Sequence, residues 1–193
     1  MTSITHSGHE LGSFSANVLV RLLVAFAFLG VVAVMAVPYL PLHPEQTRLE
    51  DLGARLSVLR NAADSYYHQH NYRYPGEYNA SNGRDRFHQG QEQEAAAAFI
   101  AQLTQYSDAT GRTSPVKTKD FTLGPYIPDG TLPENPFIHG GDASAVEIDF
   151  TLTRPDAIYP ADGRTGWRYY LQTGRLAAND NTLLEDGSQT SYR

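Results

Sequence analysis

The chain has 193 residues, a formal net charge of −6 and no cysteine. Lacking thiols, it cannot use disulfide staples, thiolate metal centres or cysteine nucleophiles. Glu10 and Arg21 are the only charges before residue 45 and cancel, so the rest of the chain carries the whole acidic excess. That balance argues against a nucleic-acid partner, because phosphate binding needs clustered Lys and Arg.

Residues 1–16 form a short leader-like tail, and an apolar run follows. From Leu22 to Val37 no side chain is polar, and Arg21 is the only charge between Val18 and Leu42. A helix of about 20 apolar residues, rising about 1.5 Å per residue, spans the hydrocarbon of a bilayer. The expectation is therefore a single transmembrane helix over 17–43. A cleaved secretory signal is the alternative, but the preceding tail has no Lys or Arg and the far end has no small-x-small cleavage site. Arg21 marks the near side as cytoplasmic, while Arg48 and Arg55 follow the far side, so charge bias alone leaves orientation open.

Pro38, Pro41 and Pro44 predict a kink or break where the run ends. Beyond them, residues 44–193 predict one exterior head of ordinary domain size. Leu49, Leu52, Leu56, Leu59, Ala63 and Tyr66 recur at spacings of three and four, which predicts an amphipathic helix over 45–70 with these residues as its core face. Tyr74-Pro75-Gly76 stops it, and 76–91 reads as a polar loop. Ala96, Phe99, Ile100 and Leu103 give a second helix over 92–107. Residues 111–143, rich in Pro, Gly and Thr, predict an ordered loop. Strands are expected within 145–178, at about 145–152, 166–172 and 174–178, with a tight hairpin at Thr173-Gly174. Asn179 to Arg193 reads as loop or frayed tail. The order implies an α+β head, with the leucine face laid across a small antiparallel sheet.

Taken together, this order resembles the type IV pilin and type II secretion pseudopilin superfamily, closest to the G-type pseudopilins. The resemblance is carried by the apolar N-terminal helix, by Leu59 through Tyr67 with Asn71-Tyr72-Arg73-Tyr74-Pro75-Gly76, and by three later segments. These are Gly124-Pro125-Tyr126-Ile127-Pro128, Pro133-Glu134-Asn135-Pro136-Phe137 and Gly166-Trp167-Arg168-Tyr169-Tyr170. It implies a pilin-like fold whose long N-terminal helix, membrane part plus amphipathic part, packs on the sheet. It also implies leader cleavage by a prepilin peptidase between Ala16 and Asn17, and places Gly30 and Pro38 on the family's glycine and proline. The fifth position after that cut is Arg21, where the family carries glutamate. The resemblance further implies a single-pass protein of the bacterial inner membrane whose partners are other pilin-like subunits and their assembly machinery.

Constellations that could carry chemistry are sparse. His68-Gln69-His70 places two imidazoles at i and i+2, which point apart on a helix, so a solvated helix end is expected rather than a metal site. Glu147 and Asp149 share one strand face near Asp142, a pattern open to acid–base work or to a plain polar surface. Asn179-Asp180-Asn181 with Glu185 and Asp186 is rich in oxygen ligands but lacks EF-hand spacing. The resemblance implies a calcium site in the C-terminal loops, which makes Asp180, Glu185 and Asp186 the candidate metal ligands; no other cofactor is expected. No nucleophile elbow, phosphate loop or dinucleotide fingerprint occurs. The expected function is structural and non-enzymatic, with a membrane-tethered binding head that does not polymerise as the alternative.

Overall fold

The computed structural model describes Val20, Arg21, Val24, Phe26 and residues 44–139, 142–151, 153–154, 160–184 and 187–190. The chain divides into two compact units, Met1–Pro44 and Glu45–Arg193. In the first, Val20, Arg21, Val24 and Phe26 are helical and exposed. The remainder of the expected 17–43 membrane helix lies outside the described residues, among which no helix is long and apolar enough to cross a membrane.

Helix α1 spans Pro44–Gln69. Proline is tolerated in a first helical turn, where its missing N–H has no acceptor to lose. Leu52, Leu56, Leu59, Ala62, Ala63 and Tyr66 are buried along one face, whereas Leu49 is only half-buried. Burying a side chain such as Leu59 contributes about 1.5–3 kcal/mol. Two arginines strap the helix to distant carbonyls. Arg55 Nη1 donates to Glu134 O at 2.7 Å, and Arg60 donates through Nε and Nη2 to Leu176 O at 3.2 and 2.9 Å. The helix stops where Asn71 and Tyr72 turn left-handed, at φ 56° and 58°. There the Tyr72 N–H reaches back to Tyr67 O at 3.0 Å and satisfies one of the terminal carbonyls.

Helix α2 covers Glu92–Thr104 and buries Ala95, Ala98, Phe99, Gln102 and Leu103. Its expected extension to Ser107 is corrected. Gln105 is extended, and Tyr106–Ser107 form strand β1, paired antiparallel with β2, Thr113–Ser114. Ser107 exchanges both backbone bonds with Leu123, at 2.9 and 3.0 Å, so tertiary partners replace the helical ones. Buried Gln102 is fully used: its Oε1 accepts from the Gly76 N–H at 2.8 Å, and its Nε2 donates to Gly111 O at 2.9 Å.

The second sheet has the order β3 (Val146–Asp149), β4 (Trp167–Tyr170), β5 (Arg175–Ala178). The expected antiparallel sheet is corrected to a mixed one, because β3 and β4 run parallel and only β4–β5 is antiparallel. A parallel pair needs a crossover of roughly a dozen residues or more, which the segment 150–166 supplies. Val146, Ile148, Trp167, Tyr169, Leu176 and Ala178 share the core face and pack in one cluster with Leu52, Leu56, Leu59, Phe99 and Leu103 of the two helices. Among the described residues the head is therefore α+β, two helices with two small sheets.

Candidate functional site

The most site-like feature of the head lies beside the β4–β5 hairpin. Asn61, Asp64 and Tyr67 on α1 follow one another at spacings of three, so they project from one side of the helix as a short row. The hairpin turn rises opposite them. Gly174, at φ 68°, lets the chain reverse and leaves room for the Tyr74 ring, which lies against it. Tyr74 Oη donates to Thr173 O at 3.3 Å, and its ring stacks on Tyr67 with centroids 4.5 Å apart and planes at 22°. Between the helix and the turn is an open pocket of about 390 Å³.

Tyr169 of β4 borders this pocket and is wholly buried. Its hydroxyl has no hydrogen-bond partner among the described residues. Burial pushes the Tyr169 phenol well above its usual range and also raises Tyr74, where the neighbouring Tyr67 adds to the effect. Both stay neutral and able to donate. Arg60 borders the pocket with its pKa lowered, first by burial and then by Arg175.

On the opposite face of the sheet, the two strand carboxylates singled out by spacing have different partners. Arg168 Nη2 lies 3.1 Å from Glu147 Oε2 and 3.2 Å from Asp162 Oδ2, and its Nη1 donates to Pro160 O at 2.9 Å. Asn179 Nδ2 donates to Asp162 Oδ1 at 2.9 Å and to Thr165 Oγ1 at 2.8 Å. Burial alone would lower the Arg168 pKa, but the hydrogen bond and charge of Glu147 outweigh it and raise the value. Burial would likewise raise Asp162, yet the Arg164 N–H and the Arg168 charge hold it below the usual carboxylate range. Asp149 instead accepts from the Thr151 N–H and hydroxyl at 2.7 and 2.8 Å. Glu147 and Asp149 thus accept from different partners, Glu147 from Arg168 and Asp149 from Thr151.

The expected frayed tail is corrected at its start, since Asn179 and Asp180 are buried. Asp180 accepts from Asn135 Nδ2 at 2.9 Å, from the Thr182 N–H at 3.2 Å and from the Thr190 hydroxyl. Both of its oxygens therefore already hold protein donors. Glu185 and Asp186 lie outside the described residues, as do Ala16, Asn17, Gly30 and Pro38. Among the described residues no three His, Asp or Glu side chains gather as metal ligands do.

His70 is the other correction. His68 is exposed beside Asp64 at 3.5 Å, as expected of a helix end, but His70 is wholly buried. Periodicity could not reveal His70 or Asn135 as interior polar groups, because Ser107 and Asp180, which they bond, are far away in the sequence. Comparisons with protein-family models, with curated proteins and with solved structures found no match.

Proposed function

We propose that this chain is a non-catalytic, pilin-like structural subunit of a type II secretion pseudopilus or type IV pilus-like filament. In this reading it is anchored in the bacterial inner membrane, with its head on the exterior side. The observation that carries the reading is the exposure of Val20, Val24 and Phe26, at 58, 55 and 71 %, on helical residues of the N-terminal unit. Each such side chain gains about 1.5–3 kcal/mol on leaving water, so this segment needs lipid or neighbouring helices around it. Ala25, Ala27, Gly30, Ala33 and Ala36 are small enough to let helices approach closely, which is how helices associate in lipid. Pro38 would bend the rod near its exit, and Arg21, exposed at the boundary, would reach the polar face of the membrane.

The assembly reading is tested by expressing the chain with a filament assembly system and imaging the membranes by negative stain. Filaments that incorporate the chain and disappear in Gly30→Leu support it. Incorporation nowhere, with the protein behaving as a monomer in native membranes, would favour the tethered binding head instead. Mass spectrometry of the extracted protein tests processing in the same preparation. A new N-terminus at Asn17 is expected, and an intact Met1 end would show that Ala16 and Asn17 are not a cleavage site.

A further inference from the structure

We propose that Asn79 is the acceptor of an N-linked glycan, transferred to its side-chain nitrogen on the exterior side of the membrane. The proposal rests on the exterior placement of the head in the reading above, and stands whether or not the chain polymerises.

The sequence supplies the acceptor motif once. Of the eight asparagines, only Asn79, in Asn79-Ala80-Ser81, has a serine or threonine two residues on with no proline between. Glu77, two residues before Asn79, adds the acidic side chain that bacterial oligosaccharyltransferases select. In the folded head Glu77 pairs with Arg86 at 3.0 Å and is 13 % exposed. Recognition of that carboxylate therefore belongs to the extended chain, before the head has folded.

The folded structure decides whether a glycan can be carried afterwards. Asn79 begins a tight reversal inside the antiparallel bridge between Tyr78 and Arg86. Its backbone N–H donates to Asp85 O and its carbonyl accepts from the Gly83 N–H, both at 2.8 Å. The side chain divides its two functions. Oδ1 accepts from the Ser81 N–H at 2.8 Å and closes a local turn, a common use of asparagine. Nδ2 has no partner among the described residues. The buried side-chain nitrogens and oxygens without a partner are, among those residues, Arg168 Nε and Tyr169 Oη, so Asn79 Nδ2 is open to water.

A sugar on Nδ2 thus breaks no hydrogen bond, and the amide oxygen goes on accepting. Ser81 is exposed and borders an open pocket of about 370 Å³, so the surface beside the motif has room. Asn82 makes the contrast. Its Oδ1 accepts from the Arg84 and Asp85 N–H groups at 2.9 and 3.1 Å, and its Nδ2 donates to Asp85 Oδ2 at 2.7 Å. There both ends of the amide are in use; at Asn79 one is spare.

The donor is an oligosaccharide carried on a polyprenyl diphosphate. Nδ2 attacks C1 of its first sugar, forming a C–N bond as the C1–O bond to the diphosphate breaks. The polyprenyl diphosphate leaves with the bonding electrons, and Nδ2 gives up one proton to a base of the transferase. Nothing is oxidised or reduced.

The test takes the full chain from its native membranes. Mass spectrometry of the tryptic peptide from Tyr74 to Arg84, with fragmentation that leaves sugar on its residue, should find a glycan on Asn79 and none on Asn82 or Ser81. Ser81→Ala spares the Asn79 amide and the backbone N–H it accepts from, so this variant should fold and lose the glycan. Ser81→Thr should keep it. An unmodified peptide would overturn the proposal, as would a glycan that survives in Ser81→Ala or sits on an oxygen. Protease treatment of spheroplasts separates this failure from that of the underlying reading. A head cut from outside yet free of glycan removes only the acceptor site, whereas a head protected from the protease removes the exterior placement with it.

Discussion

Tyr66 and His70, one helical turn apart, lie ring on ring with centroids 3.7 Å apart and planes within 10°. The hydrogen bonds of the ring set the imidazole tautomer. His70 Nδ1 sits 2.8 Å from Tyr66 O, and a carbonyl can only accept, so Nδ1 carries the proton. Nε2 must then accept from the Ser107 hydroxyl at 3.0 Å. A buried, neutral imidazole thereby joins the end of α1 to β1.

That arrangement predicts acid sensitivity with a definite sign. Burial lowers the His70 pKa, and Arg73 adds to this, against smaller opposing effects of the Tyr66 and Asp108 carbonyls and the Asp108 charge. Near its ordinary value of 6.5 the unfolded chain therefore binds a proton that the folded head does not. The contribution of His70 is present above that value, is lost as pH falls through the depressed folded value, and changes no further below it. Urea denaturation of the detergent-solubilised chain should show stability declining from neutral to mildly acid pH. His70→Phe keeps a stacked ring but abandons both hydrogen bonds. It should cost about 1–3 kcal/mol at neutral pH and flatten this decline. An unchanged slope in the variant would place the acid sensitivity elsewhere.

Gly166 marks a place where only hydrogen fits. A Cβ there would overlap the Ala143 carbonyl oxygen and press on Asn135 Cβ at 3.2 Å. The loop cannot retreat easily, because the Asn135 N–H is bonded to Ala143 O at 2.8 Å and Gly166 O accepts from Asn135 Nδ2 at 2.8 Å. Gly166→Ala should lose about 3 kcal/mol or more. The single tryptophan, Trp167, is the adjacent residue and is wholly buried, so its emission should shift to the red at lower denaturant in the variant.

Asp180 supports a different prediction. Asp180→Ala would strip acceptors from Asn135, Thr182 and Thr190 together, costing about 1–3 kcal/mol. Because those donors already occupy both oxygens, calcium should not raise the melting temperature of the wild-type chain at millimolar concentration. A rise in the wild type that Asp180→Ala abolishes would instead restore the C-terminal loops as a calcium site.

Much of the head was legible from local pattern. The three-and-four spacing of Leu52, Leu56, Leu59 and Tyr66 marked the face that α1 buries, and Thr173-Gly174 marked the hairpin. What escaped was non-local. The alternation of Val146, Ile148 and Phe150 shows which side of a strand is apolar but not the direction of its neighbour, so the parallel pairing of β3 was invisible. His68 and His70 do point apart, as their spacing requires, yet that rule is silent on which of them meets the interior. The bond between Asn135 and Asp180 joins residues 45 positions apart, beyond any periodicity. Tyr169 reads as one tyrosine among twelve, and nothing local shows that its hydroxyl lacks a partner among the described residues.

The two guanidinium straps on α1 bear on mechanics as well as on stability. Arg55 and Arg60 grip Glu134 and Leu176 from the side of the helix, so tension applied along its axis loads these bonds in shear, together and not in sequence. Resistance to extraction is then shared between the loop around Glu134 and strand β5. A globule tethered at one end could in this way bear a pull without first surrendering its spine.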